Sequence, residues 1–173
     1  FLGACAAGNK RCASHGGSIF SWNTGAVISI ADSTFEGHKS ASGGGAMYLS
    51  DGTVATISDT AFLDNTAGNN DNYGGGIEIR SDSHVTMRGT NIFRGNTAQA
   101  TKGHSVYTEP SDCSLAFEAC PAGLGTILPS TLGAIDVDFT SCSECSFSER
   151  PLLASRHVLS NNCTHKPAAG SVY

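Results

Sequence analysis

The amino-acid sequence predicts an all-β fold, a parallel β-helix of three to four coils followed by a small disulfide-rich segment. Three observations carry this. A Gly-rich phrase recurs from Gly16, Gly43, Gly74 and Gly103, 27, 31 and 29 residues apart. Periods in this range belong to solenoids, whose repeats bury their apolar faces only against one another. Between the phrases, short alternations such as Ile28-Ser29-Ile30 and Ile77-Glu78-Ile79 read as strands. After Ser111 the period stops, and five of the seven cysteines follow.

In chain order, residues 1–15 form an N-terminal cap, 16–110 the helical repeats and 111–173 a Cys-rich segment. The first copy runs from Gly16-Gly17-Ser18-Ile19 to Phe35-Glu36-Gly37-His38, and the second from Gly43-Gly44-Gly45-Ala46 to Phe62-Leu63-Asp64-Asn65. A third runs from Gly74-Gly75-Gly76-Ile77 to Phe93-Arg94-Gly95-Asn96, and a broken fourth starts at Gly103. Each Phe lies nineteen residues after its starting glycine. Aligned on those glycines, Ile19, Ala46, Ile77 and Val106 share one column and Phe35, Phe62 and Phe93 another. Strands about 4.8 Å apart would lay each ring on the next. The glycines suit a corner needing positive φ or an absent Cβ. Asn65 and Asn96 suit the corner after the Phe strand, each amide bonding along the stack, and His38 limits that ladder to two rungs. In the third copy the apolar pair Val85/Met87 comes one residue early, which a bulge near Gly89 to Ile92 would repair. The loops 68–73 and 99–102 should leave the coil at one corner.

Gly-Gly-Ala/Ile followed by Phe-x-x-Asn resembles the polymorphic outer membrane protein repeat of chlamydial type, over roughly residues 16 to 108. The resemblance implies a right-handed parallel β-helix acting as an extracellular passenger, adhesin or surface scaffold. This chain departs from that family in having fewer repeats and no β-barrel translocator. Cys120-Pro121-Ala122-Gly123, Cys142-Ser143-Glu144-Cys145 and the run from Cys163 to Gly170 faintly resemble the ephrin-receptor-like Cys-rich module, with Lys166 where that pattern has a Cys.

Charged residues make up only 14% of the chain and the net charge is −5, with no basic cluster. That argues against nucleic acid and anionic membranes as partners, and no apolar run is long enough to cross a bilayer. The start at Phe1 reads as a processed or ordered piece of something longer. Seven cysteines in a Gly/Ser/Thr-rich chain favour an oxidising compartment. Cys5/Cys12 and Cys113/Cys120 share one spacing and flank the repeats, as disulfides pinning the two ends would. Asn162-Cys163-Thr164 is a glycosylation sequon.

Cys142, Cys145, Cys163 and His165 could form a zinc site, but disulfides are the ordinary use of such residues in an exported protein. Carboxylates from neighbouring coils could flank a glycosidic bond. Asp32 pairs in column with Asp59 and Asp51 with Asp82, with Arg80 and His84 near the latter; Asp beside Gly and Ser more ordinarily serves turns. The glycine runs lack the Lys-Ser/Thr and helix of a phosphate loop. Trp22, Tyr73 and Tyr107 are candidate partner anchors or plain surface aromatics. The expectation is a non-enzymatic structural or adhesive component, extracellular or on the cell surface, with no metal or cofactor. It would associate with itself or with other surface or filament proteins. The alternative is a carbohydrate-binding or polysaccharide-degrading β-helix recognising glycans.

Overall fold

The computed structural model describes residues 13–68, 73–99, 102–110, 112–118, 124–129, 134–136, 138–144 and 159–161, the backbone alone for 124–129, 142–144 and 159–161. Within them the chain is all-β and winds as a parallel β-helix. The first coil comprises β1 (Ile19–Trp22), β2 (Val27–Ala31), β3 (Thr34–Glu36) and β4 (Lys39–Ser40). The second comprises β5 (Met47–Ser50), β6 (Val54–Ser58), β7 (Ala61–Leu63) and β8 (Thr66–Ala67). The third comprises β9 (Ile77–Ile79), β10 (His84–Arg88) and β11 (Ile92–Arg94), and the fourth β12 (Val106–Thr108) and β13 (Ser114–Phe117). One parallel sheet stacks β1, β5, β9 and β12, a second β2, β6, β10 and β13, and a third β3, β7 and β11.

Two glycine columns set the corner before the first sheet. Gly16, Gly44, Gly74 and Gly103 all have positive φ, between 57° and 76°, a region costly for residues with a Cβ. Their successors Gly17, Gly45 and Gly75 lie so close to the next coil that a Cβ would fall 2.0 to 2.3 Å from its carbonyl oxygen. The pair therefore divides two jobs, turning the chain and letting coils touch.

This column corrects the expected alignment by one residue. Gly44, not Gly43, stands opposite Gly74, and the inward column reads Ile19, Met47, Ile77, Val106, with Met47 where Ala46 was expected. The shared nineteen-residue spacing conceals insertions at different corners. The first coil has one extra residue between β1 and β2, and the third has one between β10 and β11. The strands themselves keep register: Ile28, Ala55 and Val85 align, as do Ile30, Ile57 and Met87. The surplus residue of the third coil lies at the expected place, Gly89 to Ile92, and Asn91 there is fully buried.

Phe35, Phe62 and Phe93 form the predicted stack, nearly coplanar at 5.0 and 4.7 Å between centroids. Beside it the Asn ladder has two rungs. Asn65 Nδ2 donates to Asn96 Oδ1 (2.9 Å) and to the Phe35 carbonyl (2.9 Å), and Asn96 Nδ2 donates to the Phe62 carbonyl (2.8 Å). His38 continues the column only through its backbone N–H, which donates to Asn65 Oδ1. A second ladder joins Thr60 N–H to Asn91 Oδ1 and Asn91 N–H to Ser141 Oγ. Such bonds satisfy polar groups that the narrow interior cannot hydrate.

The last coil is closed by the chain's own return. β14 (Leu124–Pro129) pairs with β17 (Cys142–Glu144) and β18 (Leu159–Asn161). Between them, β15 (Ala134–Ile135) and β16 (Phe139–Thr140) run antiparallel onto β12 and β11. Phe139 thereby becomes a fourth ring of the stack, 4.5 Å from Phe93. Asp136 Oδ1 accepts from the N–H groups of Gly103 and His104, and Asp138 Oδ1 from that of Gly95. These side chains occupy donors that another coil would otherwise use.

Candidate functional site

Strand alternation puts Phe20, Tyr48, Glu78 and Tyr107 in one outward row on the first sheet. Phe20 stacks on Tyr48 at 5.5 Å and meets Trp22 edge-on at 6.0 Å, and His15 lies 4.7 Å from Tyr48. Farther along, Tyr73 contacts Tyr107 at 4.2 Å. The Arg80 guanidinium lies 4.9 Å from the Tyr73 ring and Lys102 Nζ 4.4 Å from it, cation–π geometry in both cases. Lys102 Nζ also donates to the Tyr73 hydroxyl (2.8 Å). Tyr73 and Lys102 are the last residues of the loops 68–73 and 99–102, and Gly74 N–H bonds the Lys102 carbonyl, so both loops rejoin the coil at one corner.

Glu78, although outward, is only 2% exposed. Its Oε1 accepts from Arg80 Nε, and its buried Oε2 has no hydrogen-bond partner. A Cβ on Gly43 would overlap Oε2, so the first glycine of the second copy makes room for this carboxyl group. Burial, only partly offset by Arg80, pushes the Glu78 pKa up to about 7. Nothing in the Ile77-Glu78-Ile79 alternation announced a buried acid; the extra glycine at Gly43 was the available signal.

At the next corner a groove of about 570 Å³ runs along the helix axis. Trp22, Asn23 and Thr24 line it from the first coil, Asp51 and Gly52 from the second, Ser81 and Asp82 from the third, and Asp112 from the fourth. Asp51, Gly52, Ser81 and Asp82 all have positive φ, which Asp tolerates better than most residues. The expected Asp51/Asp82 column is staggered: Gly52 N–H bonds the Ser81 carbonyl, so Asp51 aligns with Ser81 and Asp82 with Gly52. Asp82 and His84 do meet, at 3.7 Å, and His84 Nδ1 lies 2.8 Å from Ser114 Oγ. Arg80 turns away from both, toward Tyr73. Asp32 and Asp59 share their column, each with φ of 47°, and Asp59 Oδ1 accepts from Thr90 N–H, a turn role.

Cys113, expected in a bridge with Cys120, stands in the structure as a free thiol, 5% exposed. The strand register places it in the inward column of Thr53 and Ser83, where burial pushes its pKa up. Cys5, Cys12, Cys120, Cys145, Cys163 and the Asn162 sequon lie outside the described residues, as does His165, and Cys142 is described by its backbone alone. Among the described residues no group of three or more His, Cys, Asp or Glu is placed to hold a metal ion, and no helix is long and apolar enough to cross a membrane. No family model matches the chain, no curated protein is similar to it, and no solved structure matches its fold.

Proposed function

We propose that this chain is a non-enzymatic structural or adhesive module, extracellular or on the cell surface, that extends by stacking at its first coil. The observation carrying this reading is the difference between its two ends. At the last coil, β15, β16 and the side chains of Asp136 and Asp138 occupy the sheet edges. At the first, β1, β2 and β3 are the outermost strands of their sheets among the described residues. There the inward Ile19, Ile28 and Ile30 are only partly buried, whereas Met47, Ala55 and Ile57 above them are fully so. Three of the five exposed large apolar side chains among the described residues also lie on this coil, Phe20 (48%), Trp22 (60%) and Val27 (82%), the other two being Val54 and Ile92. Residues 1–12, most of the expected cap, lie outside the described residues; an edge that the described residues leave open is a template for another strand, and the natural guest is a further coil, from a longer polypeptide or an adjacent subunit.

The scaffold reading is also supported by how acids are used. Asp59, Glu109, Asp136 and Asp138 accept backbone N–H groups, and Glu78 is sealed from substrate. The extracellular setting rests on the repeat resemblance and the cysteine content. Sedimentation velocity over a concentration series tests the assembly. The native protein should associate, and Ile30→Lys, which places a charge at the open end, should leave a folded monomer. A compact monomer at every concentration for the unsubstituted protein would end this reading.

A further inference from the structure

The groove beside Trp22 starts on the first coil but runs along the side of the helix past the three coils that follow, and its lining is specific enough to name a ligand class. Its wall begins with an indole that is 60% exposed and continues with one acidic or hydroxyl-bearing turn per coil: Thr24, Asp51, then Ser81 and Asp82, then Asp112. None of the lining residues is basic. Asp51 Oδ2 is buried without a hydrogen-bond partner, and the one ion pair formed by these acids is the long, exposed contact of Asp82 with His84. The three carboxylates do not converge on a point where an ion could be chelated. They fall one per coil: Asp82 and Asp112 share a column at the strand spacing of about 4.8 Å, and Asp51 stands on the preceding coil one residue to the side.

That arrangement calls for an extended guest with hydrogen-bond donors at each rung, positive charge, and a flat apolar face for the indole. An extended peptide repeats same-side residues about every 6.7 Å and would fall out of step within three rungs. A chain of equatorially linked pyranoses advances by nearly one rung per ring, and its apolar ring face stacks on an aromatic side chain. Each ring of an amino sugar offers ammonium or hydroxyl donors, and carboxylates accept both. We propose that this groove binds a short amino-sugar chain, its terminal ring on Trp22 and its donors on Asp51, Asp82 and Asp112.

Trp22 is the only tryptophan in the protein, so its fluorescence reports on this groove alone. Titration with the β-1,4-linked glucosamine tetramer should give a saturable change. The Asp51→Asn/Asp82→Asn double variant should weaken binding at least tenfold; Asn is chosen because it also tolerates positive φ. Far-ultraviolet circular dichroism should confirm that the variant is folded, and Trp22→Phe, followed by calorimetry, should retain weakened binding. A saturable response to the amino-sugar tetramer that tetralysine and the fully N-acetylated tetramer do not match supports the proposal. No saturable response, by fluorescence and calorimetry alike, overturns it. An equal response to tetralysine would reduce the groove to general polycation attraction, and an equal response to the N-acetylated tetramer would remove the role given to the carboxylates; either overturns the assignment. Sedimentation reads the stacking contact separately, so the two readings fail by different measurements.

Discussion

Replacing Glu78 by Gln should remove a pH dependence that the unsubstituted protein carries. The Glu78 carboxyl titrates near 7 in the folded chain instead of at its ordinary 4.5, so between these values the folded state holds a proton that the unfolded state has lost. Its contribution to stability is fully present below pH 4.5 and is lost as pH rises through 7. At 1.36 kcal/mol per pKa unit, the loss is about 3 kcal/mol. Gln has nearly the same shape, keeps an acceptor for Arg80 Nε and does not titrate. The two proteins should therefore be equally stable near pH 4.5, and Glu78→Gln should be the more stable by about 3 kcal/mol at pH 8.5. Urea unfolding at constant ionic strength across this range measures the difference. The comparison must be made between the two proteins, because His15 and His38 have pKa values lowered by burial and contribute stability that is lost as pH falls below 6.5, the opposite slope. A flat difference curve from pH 4.5 to 8.5 would refute the argument, as would one in which Glu78→Gln loses ground with rising pH.

Three further substitutions or assays probe the winding itself. Phe62→Ala removes a fully buried interior ring of the stack, in contact on both faces, and should cost about 3–5 kcal/mol in urea unfolding. Gly44→Ala puts a Cβ at φ 64° and 2.1 Å from the Met47 carbonyl oxygen, whereas Gly25→Ala, at φ 78°, meets nothing within 4 Å. Gly25→Ala should cost about 1–3 kcal/mol for the backbone alone and Gly44→Ala more; equal losses would show that the corner does not depend on close approach. Cys113 should resist a thiol reagent in the native protein and react once urea unfolds it, a difference that peptide mapping of the labelled residue would read.

The winding was legible because it is written in side chains that repeat. Phe35, Phe62 and Phe93 recur as like residues, and Asn65 and Asn96 identified a ladder whose end at His38 was also visible. Register was less so. Counting from Gly43 gave equal spacings, yet insertions in corners cost a solenoid little and shift every alignment made across them. Only backbone pairing separates Gly43, which makes room for Glu78, from Gly44, which turns the chain. The closing strands had no signature: Phe139 comes from an antiparallel segment, outside the repeat period that identified its stacking partners. Glu78 was hidden for a related reason, since its burial on an outward face comes from neighbours brought in by other coils. Arg80, Asp82 and His84 were correctly singled out as near one another in sequence, but a bend at Ser81 and Asp82 sends Arg80 one way and His84 the other.

The reversal at β15 and β16 gives the molecule a direction. The returning segment is tied to the last coil by antiparallel pairing, by the Phe93–Phe139 ring contact and by three backbone donors held on Asp136 and Asp138. The first coil has no comparable clasp among the described residues. Thermal opening should accordingly fray from β1, β2 and β3 inward, and amide hydrogens should exchange in a gradient along the axis, fastest at Ile28 and slowest around Ile57 and Met87. A load applied at that end would peel coils one at a time, while one applied at the clasped end would have to break several contacts together.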